Sequence, residues 1–373
     1  MKLFRSFGIC MAFLILISSC AGSKLKKSES VIFCVRADGV SYFADENGVM
    51  LLGRQFDYAD PFREGFAMVR SNDKWGFIDT KGEIVIPCVY DYAWPFSEGF
   101  ARVEFHAKWG VINKCGFIDA KGKMVIPCVY DDAQDFSEGF AGVKSNDKWG
   151  FIDTKGKMVI PCVYDDAWSF SEGFASVNSN DKWGFIDTKG KMVIPCIYGY
   201  AQDFSEGFAG VKSNDKWGFI DTKGKMVIPF VYDYAGYFCE GFASVNSNDK
   251  YGFIDTKGKM VIPCVYDNAG DFCEGFASVK SNDKYGFIDT KGEMIIPCVY
   301  DNAGDFSEGF ASVKSNDKLG FIDTKGKMVI PCVYDAAWPF SKGFALVKSN
   351  EKWGVINQSG EFVIPPIADR ISW

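Results

Sequence analysis

Histidine is nearly absent from this 373-residue chain: His106 is the only one. No Ser/His/Asp or Cys/His set can be assembled around it, so the expectation is that the protein is not an enzyme. Carboxylates are plentiful, but a hydrolase needs one asymmetric pocket, which a chain of near-identical units does not supply. None of the 13 cysteines forms a Cys-x-x-Cys pair, which argues against zinc, and no metal or cofactor is expected. A basic stripe is missing as well. Lysines recur singly in turns and the formal net charge is −7, so nucleic acid is not an expected partner. The apolar run from Phe7 to Ile17 falls well short of the roughly 20 residues of a spanning helix, and no later stretch reaches that length.

What the chain does have is repetition. The pair Trp-Gly opens a long phrase at Trp75, Trp149, Trp183, Trp217 and Trp353, with Tyr251, Tyr285 and Leu319 in the same slot. From Trp149 to Trp353 the step is 34 residues each time. Counting back 34 from Trp75 reaches Ser41, which opens a worn copy of the phrase. This gives ten units over residues 31–373, with one irregularity around Lys108-Trp109, where six residues look inserted near His106 and Cys115 takes the aromatic slot. A fixed period of this size signals a solenoid, a propeller or an open array. Hydrophobic residues at 47% and 35 phenylalanines supply a core shared through all units.

Within a unit, Gly173 to Asn178 and Trp183 to Asp187 read as strands joined by the polar turn Ser179-Asn-Asp-Lys182. Asp187-Thr-Lys-Gly190 then leads to a third run, Lys191 to Tyr198, interrupted by Pro195. A proline there makes the run either an edge or a strand that breaks and continues into the next sheet, and the apolar residues on both sides favour the break. The expected fold is therefore all-β, with three-stranded antiparallel units stacked into an open β-solenoid, or superhelix. A β-propeller is the alternative, disfavoured because ten units exceed the usual 4–8 blades and three strands fall short of four. Distinct end units, marked by Ser41, Arg54 and Pro366, suit the open form, with Pro365 to Trp373 as a cap.

The segment after the third run varies most between units and reads as a loop: Tyr92-Ala-Trp-Pro, Asp132-Ala-Gln-Asp, Asn268-Ala-Gly-Asp and Ala336-Ala-Trp-Pro. Variable loops are where ligands tend to be met. Trp94, Trp168 and Trp338 in these segments are the candidate ligand surface, able to stack on sugar rings if exposed. The Trp-Gly aromatics themselves read as a packed ladder, because Leu319 fills space but cannot stack as they do. The cysteine after each mid-strand proline gives way to Phe230 in one unit, which suits a small apolar slot and not a metal ligand or an obligatory disulfide. Asp131-Asp-Ala-Gln-Asp135 lacks the spacing of a calcium loop. Glu172 and its equivalents become Lys342 near the end, which indicates a solvated or turn-capping role.

Two resemblances follow from quoted residues. Lys-Trp-Gly-Phe-Ile-Asp-x-x-Gly-x-x-Val-Ile-Pro-x-x-Tyr-Asp, followed by Phe-Ser-Glu-Gly-Phe-Ala, resembles the bacterial WG (KWG) repeat family over residues 41–373. That implies a secreted or envelope-associated β-rich array, without catalytic residues to carry over. Residues 1–19 read as a signal peptide, with Lys2 and Arg5 before the apolar run. Its end, Ile17-Ser-Ser-Cys20, resembles the lipobox of bacterial lipoproteins. The resemblance implies cleavage before Cys20, acylation of Cys20 with chains such as palmitate, and a polar tether over residues 20–30. The expected address is the cell envelope, at the outer membrane or cell surface, with the bilayer met through acylated Cys20. The expected role is a non-enzymatic scaffold for an unidentified protein partner, or a module that binds glycan or cell wall.

Overall fold

The computed structural model describes residues 31–51, 55–105 and 114–373. The leader, Cys20 and the tether lie outside the described residues, as do Arg54, His106 and the Lys108-Trp109 insertion. That insertion falls in the hairpin between Phe100–Phe105 and Lys114–Asp119, whose ends pair as Phe105 with Lys114.

The described residues form ten sheets, nine of four strands and one of three, with adjacent strands antiparallel. We number the blades 1 to 10 in order of their second strand; blade 1 holds residues 31–51, and blade 5 shows the pattern. Its strands are Asp166–Ala167, Phe174–Ser179, Lys182–Asp187 and Met192–Tyr198. The unit thus has four strands instead of the expected three. The segment read as a loop supplies the first of them, because Asp166 and Ala167 pair with Asn178 and Val177.

Local chemistry sets the turns. Glu172-Gly173 and Asn180-Asp181 all adopt positive φ, the left-handed pair that a two-residue hairpin matching strand twist requires. Asp187 holds the next turn: its Oδ1 accepts hydrogen bonds from the amides of Lys189 and Lys191, both at 2.9 Å.

Proline does not break the last strand. Trp183 pairs with Tyr198 and Phe185 with Ile194, so two steps on one strand face four on the other. Pro195 sits in that bulge on the outer edge of the sheet, where its missing N–H costs no ladder bond. Gly184 lies beneath: a Cβ there would stand 2.6 Å from both the Pro195 carbonyl carbon and the Cys196 nitrogen. The Trp-Gly pair and the Ile-Pro pair are therefore one device.

Each core lies between two blades. Trp183, Phe185, Ile194 and Tyr198 of blade 5 pack on Ala201, Phe204, Ala209, Val211 and Ile220 of blade 6. Phe204 meets Phe174 and Phe185, both with centroids 4.8 Å away.

The arrangement closes, which overturns the open solenoid. Arg370–Ser372 pairs with Phe33–Ala37, matching Cys34 to Ser372 and Val35 to Ile371. The C-terminal segment is the first strand of blade 1 and not a cap. Val355, Ile364 and Ala368 of blade 10 share a core with Phe33, Val35 and Ile371 of blade 1. Phe33 packs edge-on against Phe344 at 5.3 Å, doing for the seam what the first-strand phenylalanine does elsewhere. The structure is a ten-bladed β-propeller. The closure was hidden because its two halves lie at opposite ends of the sequence, each looking like a damaged unit.

Candidate functional site

The first strands of blades 7, 8 and 9 run beside one another, while among the described residues no outer strands do, so the first strands face the inner wall of the ring. Side chains bind this wall together. Gln134 Nε2 donates to the carbonyl of Ala167 in the next blade at 2.8 Å, and Ser137 Oγ to that of Phe170 at 2.8 Å. Glu172 accepts from the amides of Glu206 and Gly207, each at 2.8 Å, so every such glutamate caps the following blade's turn. Lys342 departs from glutamate where the following blade has no turn to cap: the first two strands of blade 1 come from opposite ends of the chain. On the other side of each blade, Lys148 pairs with Asp165, whose second oxygen accepts from the amide of Asn180 at 2.9 Å. Equivalent pairs recur in most blades, and at Asp131, Asp165, Asp233 and Asp267 the lysine contact holds the carboxyl below its usual range. Gly199 takes the aspartate slot after Lys182.

The three candidate tryptophans lie on the inner wall, in blades 3, 5 and 10, and are not brought together. Trp168 and Trp338 are 48% and 59% exposed. Trp94 is half-buried beneath Arg102, whose guanidinium carbon lies 3.5 Å from the ring centroid. Arg102 also meets Asp132 at 3.2 Å and the carbonyl of Ala133. A shallow cleft of about 680 Å³ lies at the seam of blades 10 and 1, lined by Glu46, Asn47, Phe344, Gln358 and Phe362, and includes none of the three.

The position after the tryptophan slot lies within the variable segments that the sequence marks as the place where ligands are met, although its residues were not singled out there. It carries Asp135, Asp203, Tyr237, Asp271 and Asp305 in blades 4, 6, 7, 8 and 9. Ser176 donates to Asp203 at 3.2 Å and Ser244 to Asp271 at 3.1 Å. Desolvation raises the carboxyls of Asp135, Asp203 and Asp271, and raises Asp305, which also feels Asp271, to about 6. Among the described residues no three metal-ligating groups converge. The signal was in the sequence, since proline, aspartate, serine and tyrosine exchange at that position from unit to unit.

The Trp-Gly aromatics pack between blades, as with Trp75 and Trp183. The proline-following cysteines are free thiols. Cys162 and Cys196 point at the carbonyls of Val143 and Val177, 3.5 and 3.6 Å away, and burial raises their pKa.

Sequence comparison matches the WG-containing repeat in ten consecutive segments between residues 43 and 372. The chain belongs to the WG-repeat family. No curated protein matches it in sequence. Among solved structures, the WG-repeat ring resembles a "eukaryotic initiation factor" at 12% identity, covering 93% of this chain and 98% of that one with a TM-score of 0.55. A second likeness, to Hsv2p of Kluyveromyces lactis, has 9% identity, 61% and 92% coverage and a TM-score of 0.36. The first likeness is one of fold alone.

Proposed function

We propose that this WG-repeat protein is a non-enzymatic binding scaffold, held at the bacterial envelope through an acylated Cys20 and meeting its partner on the inner wall of the ring. One observation carries the reading. Turn caps, bulges and interblade cores recur from blade to blade, while the two positions after the first-strand alanine change: Trp94-Pro95, Gln134-Asp135, Trp168-Ser169, Gly270-Asp271. A frame held constant around a variable surface is the arrangement of a recognition protein.

The test is photo-crosslinking in intact cells, with a crosslinking amino acid placed at Trp338 on the inner wall or at Val163 on an outer strand. A partner captured from position 338 and not from 163 supports the reading, and the reverse refutes it. Palmitate labelling with a Cys20→Ser control tests the anchor.

A glycan partner is the second reading, favoured by the exposure of Trp168 and Trp338. Glycan-array binding lost in the Trp168→Ala, Trp338→Ala double variant supports it. Unchanged binding removes it.

A further inference from the structure

The seam of the ring departs from the repeat in the turns that join third to fourth strands. In blades 2 to 9 the two middle residues of that turn are Thr-Lys, or Ala120-Lys121 in blade 3. In blade 10 they are Gln358-Ser359, and in blade 1 Glu46-Asn47. Lysine is thus lost from the two turns that meet at the seam, and amide, hydroxyl and carboxylate groups take its place.

Backbone contacts hold both turns in position. Asp45 Oδ1 accepts from the amides of Asn47 and Val49 at 2.9 and 2.8 Å, and Asn357 Oδ1 from those of Ser359 and Glu361, both at 3.0 Å. Gly48 sets the first turn against the last strand of blade 10: a Cβ there would stand 2.4 Å from the Val363 carbonyl oxygen, whereas the equivalent Gly190 faces the Ile160 side chain. The two turns therefore open on one cleft of about 680 Å³, with Phe344 and Val363 as the apolar part of its lining. That volume falls within the roughly 300–1,000 Å³ of small-ligand sites.

Part of the polar lining is engaged and part is free. Ser359 Oγ donates to Asn357 Oδ1 at 2.7 Å, Gln358 Nε2 donates to Glu308 at 3.4 Å, and Glu46 Oε2 accepts from the amide of Val31 at 3.3 Å. Among the described residues no hydrogen bond engages the Asn47 side-chain amide, Gln358 Oε1 or Glu46 Oε1. An amide that both donates and accepts, with two further acceptors, is left for a ligand in the same cleft.

We propose that the seam cleft binds a neutral oligosaccharide. Sugar hydroxyls donate and accept at once, which side-chain amides and a carboxylate answer, and the loss of both turn lysines removes the charge that would favour an anion. The proposal goes beyond the inner-wall reading and does not depend on it.

The full chain is titrated with chitotriose, cellotriose and maltotriose, and with N-acetyl-trialanine amide as an uncharged peptide of similar length, and read by calorimetry. The result expected is saturable binding of at least one trisaccharide, weakened about tenfold or more in the Asn47→Lys, Gln358→Thr double variant and unchanged in Lys189→Ala. Both cleft substitutions install residues that other blades carry at those positions, and unchanged thermal unfolding checks that the ring still forms. Gln358→Thr alone, expected to weaken binding about threefold, keeps the test open if the double variant fails to fold. Absence of saturable binding by all of the sugars, equal or tighter binding of the peptide, or full binding by the folded double variant overturns the proposal. Crosslinking from position 338 does not involve the cleft, so failure here leaves the scaffold reading to its own test.

Discussion

The α-carbon of Gly184 lies directly under the bulge at Pro195, with no room for a methyl group between them. This contact ties the two most recognisable parts of the repeat together, because the outer strand can carry its proline only if the third strand offers bare backbone below. Gly184→Ala is expected to cost about 3 kcal/mol by forcing backbone apart in a packed interface. Thermal or chemical denaturation checks it. A substitution at Gly173, where a Cβ would meet open space but φ is positive, is expected to cost about 1 kcal/mol, from backbone strain alone.

The glutamate ladder makes a paired prediction. Glu172→Ala removes the carboxylate that holds two amides of blade 6, so stability is expected to fall by about 1 kcal/mol. Lys342→Glu is expected to change nothing, since blade 1 has no corresponding turn. Denaturation of both variants checks the pair, and a gain from Lys342→Glu would show that the seam is misread.

Two groups of carboxylates give opposite pH dependences. The lysine-paired aspartates, such as Asp165 and Asp233, have lowered pKa values, so their contribution is present above the ordinary aspartate value near 3.8 and is lost as pH falls below it. Asp305 is raised to about 6, so the folded state holds its proton more tightly than the unfolded chain, and stability falls as pH rises from about 4 through 6. The melting temperature is therefore expected to rise from pH 7 toward pH 4.5 and drop below pH 4. Asp305→Asn is expected to flatten the upper slope and leave the lower one.

Much of this was legible in the sequence. The 34-residue period, the all-β character, the capping glutamate and the small cysteine slot follow from turn chemistry and from substitutions such as Phe230. Strand number was not legible, because Asp166-Ala167 is too short to show alternation and its pairing with Val177 is set by the ring. The proline was misjudged for a related reason: apolar neighbours on both sides of Pro195 fit a bulged edge as well as a strand crossing sheets. Closure was hidden most deeply. Ser41 and Trp373 look like worn ends, and only the pairing of Val35 with Ile371 shows that they complete one blade. The tryptophans were found and placed on loops, and the acidic position beside them was included in the same variable segments but weighed only as a calcium loop at Asp135.

Closure is also the claim on which the inner wall depends. The direct measurement is a spin-label distance between positions 38 and 370, both exposed, the first in the turn that follows Phe33–Ala37 and the second on the strand paired with it, using labels attached through unnatural amino acids to avoid the native thiols. The closed ring predicts a short distance, on the order of 10–20 Å including the label linkers. An open stack would put the ends about 90 Å apart, nine sheet spacings of about 10 Å, and a distance of that size would contradict the propeller.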